Sequence, residues 1–555
     1  MGVAAAIDIT PEERQTVLAL LQRHLPGTAA WVYGSRAKWT STPTSDLDLV
    51  VFATPEQRPQ VGDLREALEE SNLPFRVDLF VWDDVPESFR RSIEADKAPL
   101  VGQQAGDGRT VRVAATGRRD PDGWRIRRFA ELLDGPVRNG IYKSKEHHGN
   151  GVKIVNMGEL FAHPRLRAVP MRRVRLSESE TDRFSLTRGD LLFARRSLVA
   201  EGAGKCSVVL DVDEPTAFES SIIRARPAAA TSDPLYLYYF FSSPPGLHRL
   251  DTIRRQVAVA GITGRDLSGL EILAPPLSEQ RAIAHVLGTL DDKIELNHQM
   301  SATLEAMARA LFRSWFVDFD PVRAKMADRD TGLPKEIADL FPDRLVDSGL
   351  GDAPDGWRAS TLADVARLNP ESWSNHNAPD RVLYVDLAKT KWGEIDEIQE
   401  HCWADAPSRA RRVLRRGDTI VGTVRPGNRS FALIDRDDLT GSTGFAVLRP
   451  MDPITREIVW CAATSHDAID RLAHLADGGA YPAVKPMAVL DTPIVLPDPG
   501  IRMMFSSLTA PLLDRLQANQ REARILGTLR DGLLPKLVSG ELRVRDAERL
   551  VGAIT

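Results

Sequence analysis

Residues 274–297 read APPLSEQRAIAHVLGTLDDKIELN, and this stretch decides how the chain is organised. Two prolines end the segment before it, and Ser278 can cap a helix whose first turn holds a glutamate. Beyond the cap, the residues of one face recur in alternating steps of four and three, the spacing of a helix-pair seam. They are Ile283, Leu287, Leu290, Ile294, Asn297, Ser301, Leu304, Ala308, Leu311 and Trp315. The pattern predicts a helix over residues 278–316, roughly 45–55 Å long at 1.5 Å per residue.

A second segment, residues 503–534, has the same spacing, and Pro535 is expected to end it. Its seam consists of Phe505, Leu508, Leu512, Leu516, Asn519, Ala523, Leu526, Leu529 and Leu533. A seam of this length needs a partner, and each helix is the obvious partner of the other. Asn297 and Asn519 lie near the two midpoints, so in an antiparallel pair they can meet and fix the register. The alternative is that each is solvated at the edge of the seam.

The two helices end the two halves of a distant repeat with a period of roughly 230 residues. The sequence PDGWR occurs at 121–125 and again at 354–358, and Arg-Gly-Asp occurs at 188–190 and again at 416–418. Three apolar or β-branched residues follow each Arg-Gly-Asp, so the aspartates are predicted to close turns before strands. The common order predicts two mixed α/β units, called here the first repeat domain (121–277) and the second repeat domain (354–502).

Composition is consistent with several domains. The chain has 555 residues, 43% hydrophobic and 27% charged, and a prior of about one domain per 150 residues predicts three or four. The net charge of −5 argues against a protein that coats nucleic acid. The charge is uneven, however: residues 1–100 carry −6, residues 101–275 carry +7 and residues 276–555 carry −6. The basic block therefore coincides largely with the first repeat domain.

The cysteines and the N-terminus indicate where the protein works. Cys206, Cys402 and Cys461 are far apart and have no partners at metal-ligand spacing, so neither a disulfide framework nor a zinc site is predicted. The first residues lack an export signal, and no window approaches 18 uninterrupted apolar residues. A soluble cytoplasmic protein is expected.

Several stretches around the long helices resemble a known family. The segments 274–284 (APPLSEQRAIA), 290–297 (LDDKIELN) and 311–325 (LFRSWFVDFDPVRAK) look like the central conserved region of type I restriction-modification specificity subunits. Residues 529–541 (LRDGLLPKLVSGE) resemble the C-terminal region of that family. The resemblance covers roughly residues 121–545. It implies two target-recognition domains, each reading half of a split double-stranded DNA sequence, held apart by the antiparallel helices.

The resemblance also implies partners. Neither repeat half carries a methyltransferase or helicase motif, so chemistry on DNA must come from modification (methyltransferase) subunits, which use S-adenosylmethionine, and from a restriction motor subunit. A spacer of roughly 50 Å exceeds the 34–36 Å of one DNA turn, so the target is expected to be bipartite with an unread gap. Because the two repeat halves carry little net charge, most phosphate contacts are expected from partner subunits.

Basic and aromatic residues in the repeat domains are candidates for DNA contacts, since Arg and Lys suit phosphates and guanine edges. The candidates are Tyr142, Lys143, Lys145, Arg195, Arg196, Arg254 and Arg255 in the first repeat domain, and Arg425, Arg429 and Lys485 in the second. The alternative for each is a solvated surface side chain.

The N-terminal hundred residues predict a different chemistry. Residues 31–52 read WVYGSRAKWTSTPTSDLDLVVF, with Asp46 and Asp48 on the same side of a predicted strand and Asp78 in another strand at 75–80. A carboxylate in such a strand is costly to bury unless it meets a cation. Three converging carboxylates make a site for hard divalent cations, and two such metals can activate an attacking oxygen and stabilise a leaving pyrophosphate.

A Gly-Ser turn precedes the carboxylates. Gly34 would let the backbone approach a triphosphate, Ser35 would donate to it and Arg36 would offset its charge; Ser45 joins this nucleotide-binding set. The order GS, DxD and a third Asp resembles the minimal nucleotidyltransferase domain of the DNA polymerase β superfamily, over roughly residues 10–100. Lys38-Trp39 departs from the small Gly-containing turn common in that family, which affects the shape of the nucleotide pocket.

That second resemblance implies Mg²⁺ and an NTP, with ATP the common choice. Asp46 and Asp48 would bind both metals, and Asp78 would act on the attacking hydroxyl. The alternative is an inactive docking domain whose aspartates cap strand ends.

The expected fold is therefore α+β and multidomain, with two long antiparallel helices of coiled-coil type. Its predicted parts are a nucleotidyltransferase domain (1–100), a linker (101–120), target-recognition domain 1 (121–277), spacer helix 1 (278–320), a linker (321–353), target-recognition domain 2 (354–502), and spacer helix 2 with a tail (503–545). Two functions follow. The first is a DNA-specificity subunit with an appended nucleotidyltransferase. The second is an antitoxin-like, protein-modifying nucleotidyltransferase that uses the repeat half as a DNA address.

Overall fold

The computed structural model describes residues 7–38, 46–54, 57–69, 71, 73–75, 77–82, 90, 93, 97–101, 123–197, 199–255, 260–349, 351–477, 479 and 482–552. The chain forms two compact units, Met1–Leu277 and Ser278–Thr555.

The helices are α1 Pro11–His24, α2 Ser35–Lys38, α3 Arg58–Glu69, α4 Met157–Ala162, α5 Glu178–Phe184, α6 Pro234–Ser242, α7 Pro244–Ile253, α8 Gly264–Ser268, α9 Leu277–Phe316, α10 Asp320–Met326, α11 Lys335–Ala338, α12 Arg456–Ala463, α13 His466–Leu475, α14 Met487–Leu490, α15 Pro499–Val538 and α16 Val544–Gly552.

The strands are β1 Ala30–Tyr33, β2 Leu47–Val51, β3 Val77–Val81, β4 Ala98–Val101, β5 Arg125–Arg128, β6 Arg138–Asn139, β7 His148–Val155, β8 Arg165–Leu166, β9 Arg172–Val174, β10 Leu191–Ala194, β11 Arg196–Ser197, β12 Cys206–Val209, β13 Thr216–Phe218, β14 Ile222–Ala225, β15 Ala260–Gly261, β16 Glu271–Ala274, β17 Leu345–Asp347, β18 Asp352–Pro354, β19 Arg358–Thr361, β20 Ala366–Leu368, β21 Arg381–Val385, β22 Thr390–Lys391, β23 Glu394–Ile395, β24 Gln399–Cys402, β25 Ala410–Leu414, β26 Thr419–Gly422, β27 Phe431–Leu433, β28 Leu439–Ser442, β29 Phe445–Pro450 and β30 Pro493–Leu496.

The N-terminal part is a four-stranded sheet in the order β3-β2-β1-β4. Strand β2 runs antiparallel to β1 and parallel to β3, with α3 as the crossover. One sheet face is buried against α1 and α3, where Leu49 shares a core with Val17 and Leu64. Because side chains alternate along a strand, the opposite face of β2 and β3 carries the aspartates and an aromatic cluster.

Each repeat domain closes on itself through its first and last strands. In the first, β5 pairs antiparallel with β16; in the second, β19 pairs antiparallel with β30. A tryptophan just before each first strand, Trp124 or Trp357, is buried to 7% exposure. A long helix follows each last strand after two residues, α9 in one case and α15 in the other. Both PDGWR copies thus have the same structural role.

The Arg-Gly-Asp turns confirm the predicted role of their aspartates. Asp190 and Asp418 are fully buried. Each accepts a hydrogen bond from the backbone N–H three residues earlier, at 2.8 Å in both domains. Each also accepts two bonds from one arginine, Arg226 at 2.7 Å twice and Arg449 at 2.8 and 2.9 Å. The preceding glycines have φ +93° and +90°, a conformation that favours glycine.

Helices α9 and α15 pack as an antiparallel pair. Arg530 donates to Asp291 at 2.6 Å near the start of α9, and the Phe312 and Phe505 ring centroids are 6.2 Å apart near its end. Each helix has 40 residues, about 60 Å at 1.5 Å per residue, slightly longer than predicted.

The predicted stop at Pro535 is wrong, because α15 continues to Val538. A proline removes a single backbone donor, and the turn that follows is held by burial of Leu537 and Val538, which are 0% and 2% exposed.

The midpoint of the helix pair is polar and buried. Asn297 and Asn519 are 0% and 1% exposed, so the predicted alternative of a solvated edge is wrong. Asn297 Nδ2 donates to Glu522 Oε2 at 3.0 Å. Within the described chain, Asn297 Oδ1, Ser301 Oγ and both polar side-chain atoms of Asn519 have no hydrogen-bond partner. The two asparagines are therefore both buried near the middle of the helix pair, and they do not bond each other.

Candidate functional sites

The N-terminal carboxylates lie on the open face of the first sheet. Asp48 and Asp78 are register neighbours on parallel strands, and Tyr33 is the register neighbour of Asp48 on its other side. Burial and the like charges of Asp78 and Asp46 raise the pKa of Asp48. Burial, together with the negative charges of Asp48 and Asp78, raises the pKa of Tyr33 to about 12. The three aspartates therefore create one field of negative charge.

The backbone at Gly34 is approached closely by the Asp48 carboxylate, whereas the sequence predicted the approach of a triphosphate. The φ of Gly34 is +73°, and a Cβ at this position would overlap Asp48 Oδ2. Only a residue without a side chain lets the Asp48 carboxylate occupy this position against the backbone. Ser35 then begins α2. Gly34 thus shapes the carboxylate site directly.

The Arg36 side chain makes contacts within the N-terminal domain that the sequence did not predict. Its side chain is 6% exposed, its Nη1 donates to the Asp8 carbonyl at 2.9 Å, and its guanidinium carbon lies 3.8 Å from the Phe75 ring centroid. The residue ties α2 to the segment before α1, and a nucleotide contact by Arg36 stays a prediction. Ser45 and Trp39 lie outside the described residues.

The donor chemistry of this site fits a hard divalent cation, because carboxylate oxygens are the preferred ligands and, after burial, the charges of Asp78 and Asp46 raise the pKa of Asp48. No three His, Cys, Asp or Glu side chains in the described part of the chain are already grouped to hold a metal.

Four of the predicted DNA contacts in the first repeat domain are exposed. Tyr142 is 79% exposed, and Lys145 and Arg196 are also exposed. Arg255 is exposed as well, although its Nη2 donates to Asp266 at 2.7 Å. These side chains can reach a ligand without breaking the core.

The other three have internal roles. Lys143 Nζ lies 2.8 and 2.9 Å from the two carboxylate oxygens of Glu180. Arg254 donates to the Ala203 carbonyl at 3.1 Å and forms an ion pair with Asp251. Arg195 donates to the Ser220 carbonyl at 3.4 Å.

In the second repeat domain, two predicted loops are joined. Arg425 N donates to the Pro482 carbonyl at 2.7 Å, and Val484 N to the Thr423 carbonyl at 2.9 Å. The structure thus brings the Arg425 loop to the segment that holds Lys485, and both side chains are exposed. Arg429 is largely buried, with its Nη2 donating to Asp470 at 2.8 Å.

Sequence reasoning missed Trp392. It is 55% exposed, and the Arg429 guanidinium carbon lies 4.9 Å from its ring centroid. The signal that could have found it is the segment KTKWGE at 389–394, a tryptophan beside lysines and a turn-forming glycine.

Similarity to known proteins agrees with both halves of this arrangement. Residues 121–306 match the family described as the type I restriction modification DNA specificity domain. Residues 15–105 match the family described as polymerase beta, nucleotidyltransferase. The chain therefore combines a type I specificity domain, shared with type I specificity subunits, and an N-terminal nucleotidyltransferase domain. None of the helices in the described residues is long and apolar enough to cross a membrane.

Individual relatives match either the repeat half of the chain or its N-terminal domain. The chain is 26% identical over 328 residues to the type I restriction enzyme MjaIX specificity subunit of Methanocaldococcus jannaschii, covering 56% of this chain and 69% of the relative. It is 40% identical over 90 residues to a Haemophilus influenzae protein named "Probable protein adenylyltransferase MntA", covering 16% of this chain and 79% of the relative. The crystal structure of a type I S subunit from M. genitalium matches with 14% identity and a TM-score of 0.47, covering 75% of this chain and 96% of that one.

Proposed function

We propose that this chain is the DNA-specificity subunit of a type I restriction-modification complex that reads a bipartite target and recruits methyltransferase and restriction motor subunits. S-adenosylmethionine enters only through the methyltransferase subunits. The complex works in the cytoplasm. The appended N-terminal domain is a metal-dependent nucleotidyltransferase that uses Mg²⁺ and an NTP, with ATP as the nucleotide.

The observation that carries the reading function is the repeated order of a closed domain followed by a 40-residue helix. The helices are antiparallel, so the residues at which α9 and α15 begin lie at opposite ends of the pair. A pair about 60 Å long exceeds one DNA turn of about 34–36 Å, and this supports two half-sites with a gap between them.

The nucleotidyltransferase function rests on Asp48 and Asp78 side by side, with Asp46 adding to the same field. Asp46 and Asp48 would hold Mg²⁺, which would neutralise the triphosphate and the leaving pyrophosphate. Asp78 would accept the proton of the acceptor hydroxyl as its oxygen bonds to the α-phosphorus and the bond to pyrophosphate breaks.

The test of the reading function is co-expression with modification subunits, followed by mapping of adenine methylation. Methylation at one split sequence is expected, and a variant with Asp418→Ala in the second repeat domain should lose it, because Arg449 would lose its buried partner. Absence of site-specific methylation by the native chain would overturn the reading function.

The similarity to the H. influenzae protein favours a second function, transfer of a nucleotide to a protein with the repeat half serving as a DNA address. Labelled ATP and magnesium distinguish the two. If the chain labels a partner protein and no methylation is found, the second function holds. Equal labelling by the native chain and by a double variant, Asp46→Ala with Asp48→Ala, would exclude the proposed site.

A further inference from the structure

Three non-glycine residues with left-handed backbone come together in the second repeat domain. They are Trp392, Arg425 and Arg429, with φ values of +52°, +48° and +57°. Trp392 N donates to the Arg429 carbonyl at 2.9 Å, and the 3₁₀ turn Pro426–Asn428 links the two arginines. Such backbone is unfavourable for side chains other than glycine, and it persists mainly where a protein presents residues to a ligand.

The strained residues present an aromatic ring to solvent. Trp392 lies between β22 and β23, and more than half of its surface is exposed. Arg429 supports the ring, because its guanidinium lies 4.9 Å from the ring centroid and is fixed by Asp470 at 2.8 Å. The ring also lies against Phe431 and His466, with centroid distances of 6.5 and 6.1 Å. These contacts leave more than half of it exposed, which is unfavourable for so large an apolar ring in water.

The segments next to the ring carry basic residues. Lys391 precedes Trp392 and is exposed, and Arg425 and Lys485 are exposed on the two joined loops. Acidic groups also lie on these segments: Asp470 is bound to Arg429, Glu394 is the register neighbour of Lys391, and Asp477 pairs with Ala483, two residues before Lys485. An aromatic ring among cations is the chemistry that binds stacked bases together with phosphates.

We propose that Trp392 is a DNA-contacting residue of the second repeat domain, which wedges its ring against a base step of the half-site. Arg429 is then a positioning residue that holds the ring, and Lys391, Arg425 and Lys485 meet the flanking phosphates. Wedge residues of this kind partly unstack a base step and bend the duplex. The inference deepens the proposed reading function and rests on it.

The test uses the full chain assembled with its modification subunits. Trp392→Ala should weaken binding to the cognate duplex roughly ten-fold or more, the scale of one lost stacking contact. Trp392→Phe should keep most of the affinity, since a ring remains. Met451→Ala is the matched control, because Met451 is a similarly exposed apolar residue, at 48%, of the same domain; it should bind as the native chain does.

A second measurement locates the contact. With 2-aminopurine placed at successive positions of the half-site, fluorescence should rise at one step for the native complex and for Trp392→Phe. It should not rise for Trp392→Ala. Trp392→Gly removes the ring and the backbone strain together, so it should unfold no earlier than the native chain while binding DNA as weakly as Trp392→Ala.

Three outcomes overturn the proposal. One is native affinity and native fluorescence for Trp392→Ala. Another is loss of affinity for the modification subunits without DNA, which would place the ring against a protein. The third is early unfolding of Trp392→Gly, which would make the ring structural. If the native complex itself fails to methylate a split site, the reading function fails, and the inference fails with it.

Discussion

The buried asparagine layer between α9 and α15 leads to the sharpest prediction. Replacing Asn519 by Leu removes two polar atoms that have no hydrogen-bond partner within the described chain and adds apolar contact at a site that is 1% exposed. An unsatisfied buried polar group costs about 1–3 kcal/mol, so Asn519→Leu should stabilise the helix pair by about that amount. Asn297→Leu should be close to neutral, because it loses the bond to Glu522 but leaves Glu522 beside Lys293 at 3.4 Å.

A buried polar layer in an apolar seam specifies register at a cost in stability. The variant that combines Asn297→Leu with Asn519→Leu should therefore have a more stable helix pair. Its two helices should also be less restricted to a single register. A slip of one heptad moves one helix past the other by about 10 Å, the length of roughly three base pairs at 3.4 Å each.

The assay has two readouts on the full chain with its modification subunits. Hydrogen exchange in the middle of α15 should slow in Asn519→Leu, and methylation of duplexes whose central gap is lengthened or shortened by three base pairs should rise in the double variant. An unchanged gap preference in the double variant would refute the register argument. Faster exchange in Asn519→Leu would refute the assignment of an unsatisfied layer.

Four further predictions follow from single sites. Gly34→Ala should abolish nucleotidyl transfer and destabilise the N-terminal domain more than Gly27→Ala, because both have positive φ but only Gly34 has Asp48 in the path of a Cβ; thermal unfolding and labelled ATP test this. Hydrogen bonds from Arg415 and Arg449 lower the pKa of Glu371 from 4.5 to about 2. The unfolded chain then binds more protons between these values, so this contribution to stability is present above pH 4.5 and is lost as pH falls toward 2; Glu371→Gln should flatten an acid titration of stability in that window. Arg449→Met should cost about 3–5 kcal/mol by leaving the buried Asp418 unpaired, with Arg436→Met as the exposed control, measured by denaturant unfolding. Of the three cysteines only Cys402 is exposed, and burial raises the pKa of Cys461 to about 12, so one thiol should react with Ellman's reagent before unfolding and three after it.

Short-range sequence patterns were sufficient to predict many elements of this fold. The DxD strand, the Arg-Gly-Asp turns and the seam spacing are all short-range signals, and the structure contains each of the elements that they predicted. Contacts that depend on long-range packing were not predictable from local sequence. Nothing near Arg36 in the sequence shows that its guanidinium will donate to the Asp8 backbone carbonyl, and nothing near Lys143 shows that it will meet the Glu180 carboxylate.

The same limit applies to element ends and to exposed residues. Pro535 ends a helix by local rules, but the burial of the following residues extends it. The sequence analysis made no prediction for Trp392, and the folded hairpin shows that its ring is exposed.

The pairing of β5 with β16, and of β19 with β30, has a consequence for inheritance. A domain whose first and last strands are neighbours has its entry and exit at one place, so a different domain with the same terminal strand pair can replace it without altering the helices. Under the proposed reading of a bipartite target, recombination between genes with similar helix segments would then exchange one half of the target in a single event, and the other half would remain as it was.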